Sequence, residues 1–237
     1  MNCPICEGKA PLHDVVDFAK SCDETNGNYL PIEGHPIYYR LCDSCGHCFA
    51  PVMCQFTPDE FSALVYNDDY VKVDPDYVEA RPKGNAAMLK RFFGQFRDKR
   101  HLDYGGGWGL LSELMAKDGW DSTSYDPFVP GEKPEGRYNL ITAFEVFEHA
   151  TDPKQLVSTL SDLLHEDGLI LFSTLVSNGA ISKNRRLTWW YASPRNGHIN
   201  LFSKESLAEL AAAYKFNLTS FSDGMHAFYR TMPKWVE

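Results

Sequence analysis

Apolar side chains recur along this chain with two different periods, and the switches between them lay out its elements. In residues 82–96, PKGNAAMLKRFFGQF, Ala86, Leu89, Phe93 and Phe96 fall on one stripe with Lys and Arg opposite, which predicts an amphipathic helix opened by Pro82. A short apolar run ends at Asp103 and predicts a strand. Residues 102–109, LDYGGGWG, interrupt it, and Leu110, Leu111, Leu114 and Met115 then form the next buried helical stripe. Residues 138–153, YNLITAFEVFEHATDP, read as an apolar strand followed by an Asp-Pro helix start, with the helix running through DPKQLVSTLSDLLHEDG. GLILFSTL predicts another strand, GHINLFSKESLAELAAAYKF a helix with Ser203 as its N-cap, and the last two strands fall near 217–222 and 225–231.

The ends of this pattern set the domain boundaries expected here: a module over 1–60, a linker or lid over 61–81, and an α/β domain over 82–237. Residues 61–81 mix Tyr66, Tyr70 and Tyr77 with aspartates. That mixture suits either a linker packing its aromatics on the next domain or a lid over a polar ligand. A chain of 237 residues, 43% hydrophobic and 14% aromatic, has enough apolar surface for a core, which excludes a disordered chain. No apolar run reaches the roughly 18 residues that span a bilayer. The start, MNCPICEGKA, has neither the basic nor the apolar region of a secretory signal, so a cytoplasmic location is expected and no membrane partner.

Six of the seven cysteines stand in the first 48 residues. CPIC at 3–6 and CDSC at 42–45 are two C-x-x-C pairs, and two such turns brought together make the S₄ shell that Zn²⁺ prefers. Gly46 follows the second pair, where a left-handed residue is often needed. The expected ligands are Cys3, Cys6, Cys42 and Cys45, with His47 and Cys48 as substitutes for one of them. Four thiolates leave no open position, so the zinc is expected to be structural, in a zinc-ribbon-like module too short to fold without a staple. The alternative is a set of reduced, buried cysteines.

The glycine run carries the main chemistry. Strand, glycine turn and helix N-terminus together make the place where α/β sheets bind nucleotides. Gly105, Gly107 and Gly109 give G-x-G-x-G with Asp103 two residues ahead. Position 110 is Leu, so the dinucleotide spacing G-x-G-x-x-G fails. The stretch resembles motif I of the class I S-adenosylmethionine-dependent methyltransferases. Asp126 in WDSTSYDPF stands where that family ends its second strand with an acid whose two acceptor oxygens match a ribose diol. EVFEH at 145–149 resembles the fourth-strand motif of the subgroup with ubiquinone-type O-methyltransferases and deoxysugar C-methyltransferases. The match covers about residues 82–232. It implies a Rossmann-like, seven-stranded methyltransferase sheet with helices on both faces. It also implies S-adenosylmethionine as cofactor, held by Asp103, Tyr104, Gly105, Gly107, Gly109, Asp126, Pro127 and Glu145. Two departures stand out. Only PFVPGEKPEGR separates Asp126 from Tyr138, so the helix and third strand of the family are missing or shrunken and the adenine contact is unassigned. Asn139 replaces the family's usual Asp.

Methyl transfer to oxygen or carbon requires a proton to leave, and histidine is the natural acceptor near neutral pH. His149, at the end of EVFEH, and His198, in RNGHINLF, are the candidates, with Tyr191 placed to approach the acceptor; each has a purely structural alternative. Trp189 and Trp190 suit packing better than a substrate platform, and Arg185 with Arg186 suits a solvated surface pair. The expected function is methyl transfer to O or C of a small molecule, such as a nucleotide-linked sugar or another tailoring substrate. The alternatives are an RNA methyltransferase that grips its substrate through the zinc module, and a non-catalytic scaffold whose zinc module binds a protein. Net charge is −9, and residues 1–60 carry three Lys/Arg against nine Asp/Glu. An acidic module lacks the cations that a phosphate backbone demands, which argues against nucleic acid. Oligomeric state is not legible.

Overall fold

The structure, a computed structural model, describes residues 1–236. Its strands are β1 (Leu12–Asp17), β2 (Pro36–Leu41), β3 (Cys48–Phe49), β4 (His101–Tyr104), β5 (Ser122–Tyr125), β6 (Tyr138–Phe144), β7 (Leu164–Ser173), β8 (Asn200–Leu201), β9 (Asn217–Ser220) and β10 (Met225–Tyr229). Its α-helices are α1 (Pro58–Leu64), α2 (Tyr70–Val73), α3 (Ala80–Phe93), α4 (Leu110–Lys117), α5 (Pro153–Leu163) and α6 (Lys204–Ala213). The chain divides into two compact units. One gathers Met1–Pro75, Glu148–Lys154 and Leu175–Leu210; the other gathers Asp76–Phe147, Gln155–Thr174 and the chain from Ala211 on. These units cut across the sequence boundaries at 60 and 81.

The second unit is built on a six-stranded sheet in the order β5-β4-β6-β7-β10-β9. β5, β4, β6 and β7 run parallel, and β10 is antiparallel to both β7 and β9. Parallel strands covered on both faces need apolar side chains at nearly every position. β6 meets that demand, burying every residue but Asn139. The predicted stripe of α3 is the one that packs: Ala86, Leu89 and Phe93 join Leu111 and Met115 of α4 on Leu140, Phe144, Leu169 and Leu171 of the sheet. Seven strands are expected from the family resemblance and six are present. Residues 127–137, with three prolines and two glycines, form no strand or helix. Eleven such residues cannot supply both a crossover helix and a further strand, and β5 stands at the edge of the sheet.

The first unit holds a four-stranded antiparallel sheet, β1-β2-β3-β8. Cys48 pairs with Leu201 and Phe49 with Asn200, so the cysteine-rich N-terminal segment completes its sheet with a strand drawn from far along the chain. The stretch expected as linker contributes Phe61, Val65, Tyr70 and Val73 to this unit's core, beside Tyr39, Tyr191 and Ile199. α1 is a well-capped helix. Thr57 Oγ1 accepts from the Glu60 amide at 3.2 Å, the Glu60 carboxylate accepts from the Thr57 amide at 2.8 Å, and Pro58 opens the first turn. Among the described residues, no helix is long and apolar enough to cross a membrane.

Ser203 is the N-cap of α6, as the sequence predicts. Its Oγ accepts from the Ser206 amide at 2.9 Å, and Ser206 Oγ accepts from the Ser203 amide at 2.9 Å. The Ser203 hydroxyl also donates to the Cys45 carbonyl, tying the cap to the second cysteine turn. Ser203→Ala therefore removes a cap and leaves a buried carbonyl without this donor. It should cost about 1–2 kcal/mol in urea-induced unfolding, against a near-neutral Ser203→Asn.

Candidate active site

At the end of β4 the chain turns through Tyr104 to Gly109. Gly105, Gly107 and Gly109 all have positive φ, at 75°, 56° and 83°. Gly109 is the left-handed N-cap of α4, so its conformation starts the helix. The Gly105 amide donates to the Tyr125 carbonyl at 2.7 Å and the Gly109 amide to the Gly106 carbonyl at 3.0 Å, which folds the loop back on itself. Gly106, whose φ is ordinary, is the position where a side chain fits least. A Cβ there would overlap the Asp103 carboxylate and the Ser124 hydroxyl, and one at Gly105 would overlap Val146. Sequence reading selects the alternate glycines of the motif and passes over Gly106, because its constraint comes from β4 and β5 beneath the loop.

Asp103 lies under that loop, 4% exposed. It accepts from Thr142 Oγ1 at 2.8 Å; Thr142 is linked to His101 Nε2 at 3.0 Å, His101 Nδ1 to Ser122 Oγ at 2.8 Å, and Ser122 to Ser112 at 2.7 Å. The whole row is a line of hydrogen bonds across β6, β4 and β5 to α4. Burial pushes the Asp103 carboxyl up to about 7, the Thr142 hydrogen bond opposes this, and the charge of Asp126 adds to it. Burial holds His101 down to about 3, so this imidazole is neutral.

Asp126 ends β5 and meets the same loop from the other side. Its Oδ2 accepts from the Gly107 amide at 2.9 Å and its Oδ1 from the Phe128 amide at 2.8 Å. Each oxygen keeps a second lone pair for a ligand. Glu145 closes β6 in a left-handed conformation, φ 55°, which a non-glycine residue adopts only under constraint. Ser173 supplies that constraint: its Oγ accepts from the Glu145 amide at 2.8 Å and donates to Glu145 Oε1 at 2.7 Å. Asp103, Gly105, Gly107, Gly109, Asp126 and Glu145 thus all stand in the second unit, at the carboxyl ends of β4, β5 and β6, where open α/β sheets take ligands. Tyr104 continues β4 and Pro127 follows Asp126.

The residues expected to handle the acceptor gather in the first unit. The Tyr191 and His198 rings lie 4.1 Å apart, and the His149 and His198 rings 5.0 Å. Tyr191 donates its hydroxyl to Glu148 Oε1 at 2.5 Å. Glu148, wholly buried, went unremarked in EVFEH except as part of the motif. Trp189 packs against this unit's core and Trp190 is 42% exposed. Arg186 Nε donates to Asp14 at 2.8 Å, a surface pair.

The four cysteines of the two C-x-x-C turns converge, each sulfur within 4.8 Å of the others. The Cys3–Cys45 and Cys6–Cys42 sulfurs are 3.7 and 3.4 Å apart, close to the roughly 3.8 Å edge of a ZnS₄ tetrahedron with 2.3 Å bonds. The Ser44 and Cys45 amides point at Cys42 Sγ, at 3.4 and 3.5 Å. A hydrogen bond from Cys45 favours the Cys3 thiolate and brings it down to about 5, while Cys45 is correspondingly held protonated. The spacing of the four sulfurs fits a tetrahedral thiophilic ion. His47 and Cys48 stand apart from it. His47 Nε2 meets Asn200 Oδ1 at 3.0 Å, with its ring stacked on Phe49, and Cys48 is sealed in the core.

A doubly wound sheet with a glycine turn after its first strand, an acid at the end of the next and a constrained acid at the end of the third defines the class I methyltransferase type. A family model described as a methyltransferase domain matches residues 77–220, and the chain belongs to that family, the S-adenosylmethionine-dependent methyltransferases. The ubiquinone biosynthesis O-methyltransferase of Bordetella avium (strain 197N) is 30% identical over 116 residues, covering 38% of this chain and 48% of that protein. Its counterpart in Escherichia coli O139:H28 is 31% identical over 107 residues, covering 34% and 45%. The chain spans about half the length of these curated relatives. Among solved structures, the 1,6-didemethyltoxoflavin N1-methyltransferase of Burkholderia thailandensis aligns with a TM-score of 0.50 at 16% identity, over 85% of this chain and 96% of that one. The plantazolicin methyltransferase BpumL aligns with a TM-score of 0.50 at 13% identity, over 75% and 94%. At these identities the two structures speak for the fold alone.

A carboxyl raised in the folded state keeps its proton where the unfolded chain has lost it. Stability therefore falls as pH rises from about 4, the ordinary value, through about 7. Asp103→Asn should flatten that part of the profile, so the difference in unfolding free energy between variant and parent moves in the variant's favour from pH 4 to 7.5. Parallel profiles would mean that Asp103 titrates normally.

Proposed function

We propose that this protein transfers the methyl group of S-adenosylmethionine to an oxygen or carbon of a small molecule, such as a nucleotide-linked sugar or another tailoring substrate. The observation that carries the reading is the loop itself, with side-chain-free backbone over Asp103 and the Gly107 amide on the Asp126 carboxylate. The cofactor supplies a methyl group activated on a sulfonium. Gly105, Gly107 and Gly109, with the adjacent Tyr104, let it lie directly on the backbone. Asp126, beside Pro127, takes the two ribose hydroxyls on its remaining lone pairs. Glu145, already aimed by Ser173, serves the methionine end, and Asp103 supports the turn from below. His149, His198 and Tyr191 serve the acceptor by taking and orienting its proton. In the 1–60 module, Cys3, Cys6, Cys42 and Cys45 hold a structural Zn²⁺. The setting is the cytoplasm.

Two measurements test this reading. Asp126→Ala should weaken S-adenosylhomocysteine binding by about 10- to 100-fold in calorimetry, the worth of hydrogen bonds to a charged group; unchanged affinity would remove the ribose assignment. Stripping zinc with a chelator should lower the melting temperature by roughly ten degrees or more, because metal binding in a small module is folding free energy. A protein that melts as before yet loses turnover would show that the metal is not structural.

A further inference from the structure

The Lys and Arg face of α3 has no part in the candidate cofactor site. Residues 80–100 hold seven Lys/Arg against one Asp, in a chain whose net charge is −9. Where α3 ends, Lys90, Arg91, Phe92, Gly94, Gln95 and Arg97 line a cavity of about 430 Å³. We infer that this cavity binds a nucleoside diphosphate, with its phosphates on Lys90, Arg91 and Arg97 and its base on the Phe92 ring. The inference does not rest on the methyltransferase reading. The cavity lies beside the segment that enters β4 at His101, at the amino end of the strand, whereas Asp103, Asp126 and Glu145 of the same unit gather at the carboxyl ends.

Arg97 stands beyond the helix, and main-chain oxygens fix its guanidinium. Nε donates to the Gly94 carbonyl at 3.2 Å and Nη1 to the Asp118 carbonyl at 3.5 Å. Those bonds take two of its five N–H donors and bring no opposing charge, so the planar fork keeps donors for phosphate oxygens. The Arg91 guanidinium carbon is 5.3 Å from the centre of the Phe92 ring, which holds a cation and an aromatic face together. Among the described residues, neither arginine has a carboxylate within 4.0 Å. Lys90 Nζ is 3.8 Å from Asp118 Oδ1, a long and half-exposed pair. Cations in the last turn of a helix suit its partial negative charge, which accounts for Lys90 and Arg91 but not for Arg97.

Three cations with no carboxylate in the lining suit an anion of matching charge, and a diphosphate ester carries about three negative charges at neutral pH. Phe92 is 61% exposed beside those cations, which suits a flat ring next to the phosphates. A nucleoside diphosphate has both parts. The size of the cavity falls in the range of small-molecule sites, whereas a bilayer is met by a broad amphipathic face. Nor does the charge continue as the stripe that a phosphate polymer requires. Lys99 and Arg100 are paired with Asp98 and Asp121, at 3.0 and 3.6 Å.

The test uses purified full-length protein saturated with S-adenosylhomocysteine, so that the candidate cofactor site is filled, and UDP as titrant in calorimetry at physiological salt. A dissociation constant below about 100 µM is expected, rising at least about tenfold in Arg91→Ala and in Arg97→Ala. Phe92→Ala should weaken UDP by about three- to tenfold and leave inorganic pyrophosphate held as in the parent. Equal loss of both, or of neither, removes the base from the Phe92 ring. All three side chains are exposed, and melting temperature and S-adenosylhomocysteine affinity on the same samples show that each variant is folded. A parent that binds UDP more weakly than about 100 µM overturns the site, whatever the variants do. Parent-like affinity in both arginine variants overturns it too, since UDP then binds elsewhere on the chain. Vesicles of phosphatidylglycerol form a second arm: a parent that sediments with them and binds no UDP overturns the nucleotide in favour of a lipid surface. If the parent fails to bind S-adenosylhomocysteine, the methyltransferase reading falls, and the UDP titration decides this site without it.

Discussion

Everything in the candidate cofactor site depends on a backbone that runs without side chains over a buried carboxylate. Asp103 fills the space below the turn, and Gly106 is tolerable there only because it has no Cβ. The cost of burying Asp103 shows in its raised affinity for a proton. The row from Thr142 through His101 to Ser112 offsets part of that cost by giving each buried polar atom a partner. With Asp103 seated, Gly107 turns its amide toward Asp126, and the ends of β4 and β5 are locked to one loop.

The first unit solves a different problem with the same economy of main-chain contacts. A cysteine-rich segment of this length has little core of its own. It gains a strand at Asn200–Leu201 and a capped helix start at Ser203, whose hydroxyl reaches the Cys45 carbonyl. The histidines follow from that arrangement. His47 is withdrawn to Asn200 and is kept neutral by burial, down to about 3. His149 and His198 each meet a main-chain carbonyl through Nδ1, that of Gly197 and that of Tyr191. Three histidines of one unit thus take two unlike roles, set by which backbone oxygen or amide each one meets.

Much of this was legible in the chain. The helical stripes of α3 and α4, the cap at Ser203, the two C-x-x-C turns and the glycine run are local patterns, and local patterns follow from the period of the backbone and the shape of single residues. The proline-rich stretch at 127–137 also announced that a helix–strand unit was shrunken, although the expected count of seven strands followed the family rather than that observation. Gly106, Thr142, Ser173 and Glu148 were not legible in the same way. Thr142, Ser173 and Glu148 act through partners 28 or more positions away in the chain, and Gly106 is constrained by Ser124 on the next strand as well as by nearby Asp103.

By itself, then, the sequence determined the parts that a few consecutive residues can encode: the turn, the caps, the thiolate pairs and the family they belong to. Only the tertiary structure decided which of these parts share a unit. Residues 61–73 joined the first core rather than lying between domains, because Phe61, Val65, Tyr70 and Val73 bury apolar surface against Tyr39 and Tyr191. It also decided the proton positions of His149 and His198, since a tautomer is set by the carbonyl that a fold brings within 3 Å, and no spacing along the chain records that distance.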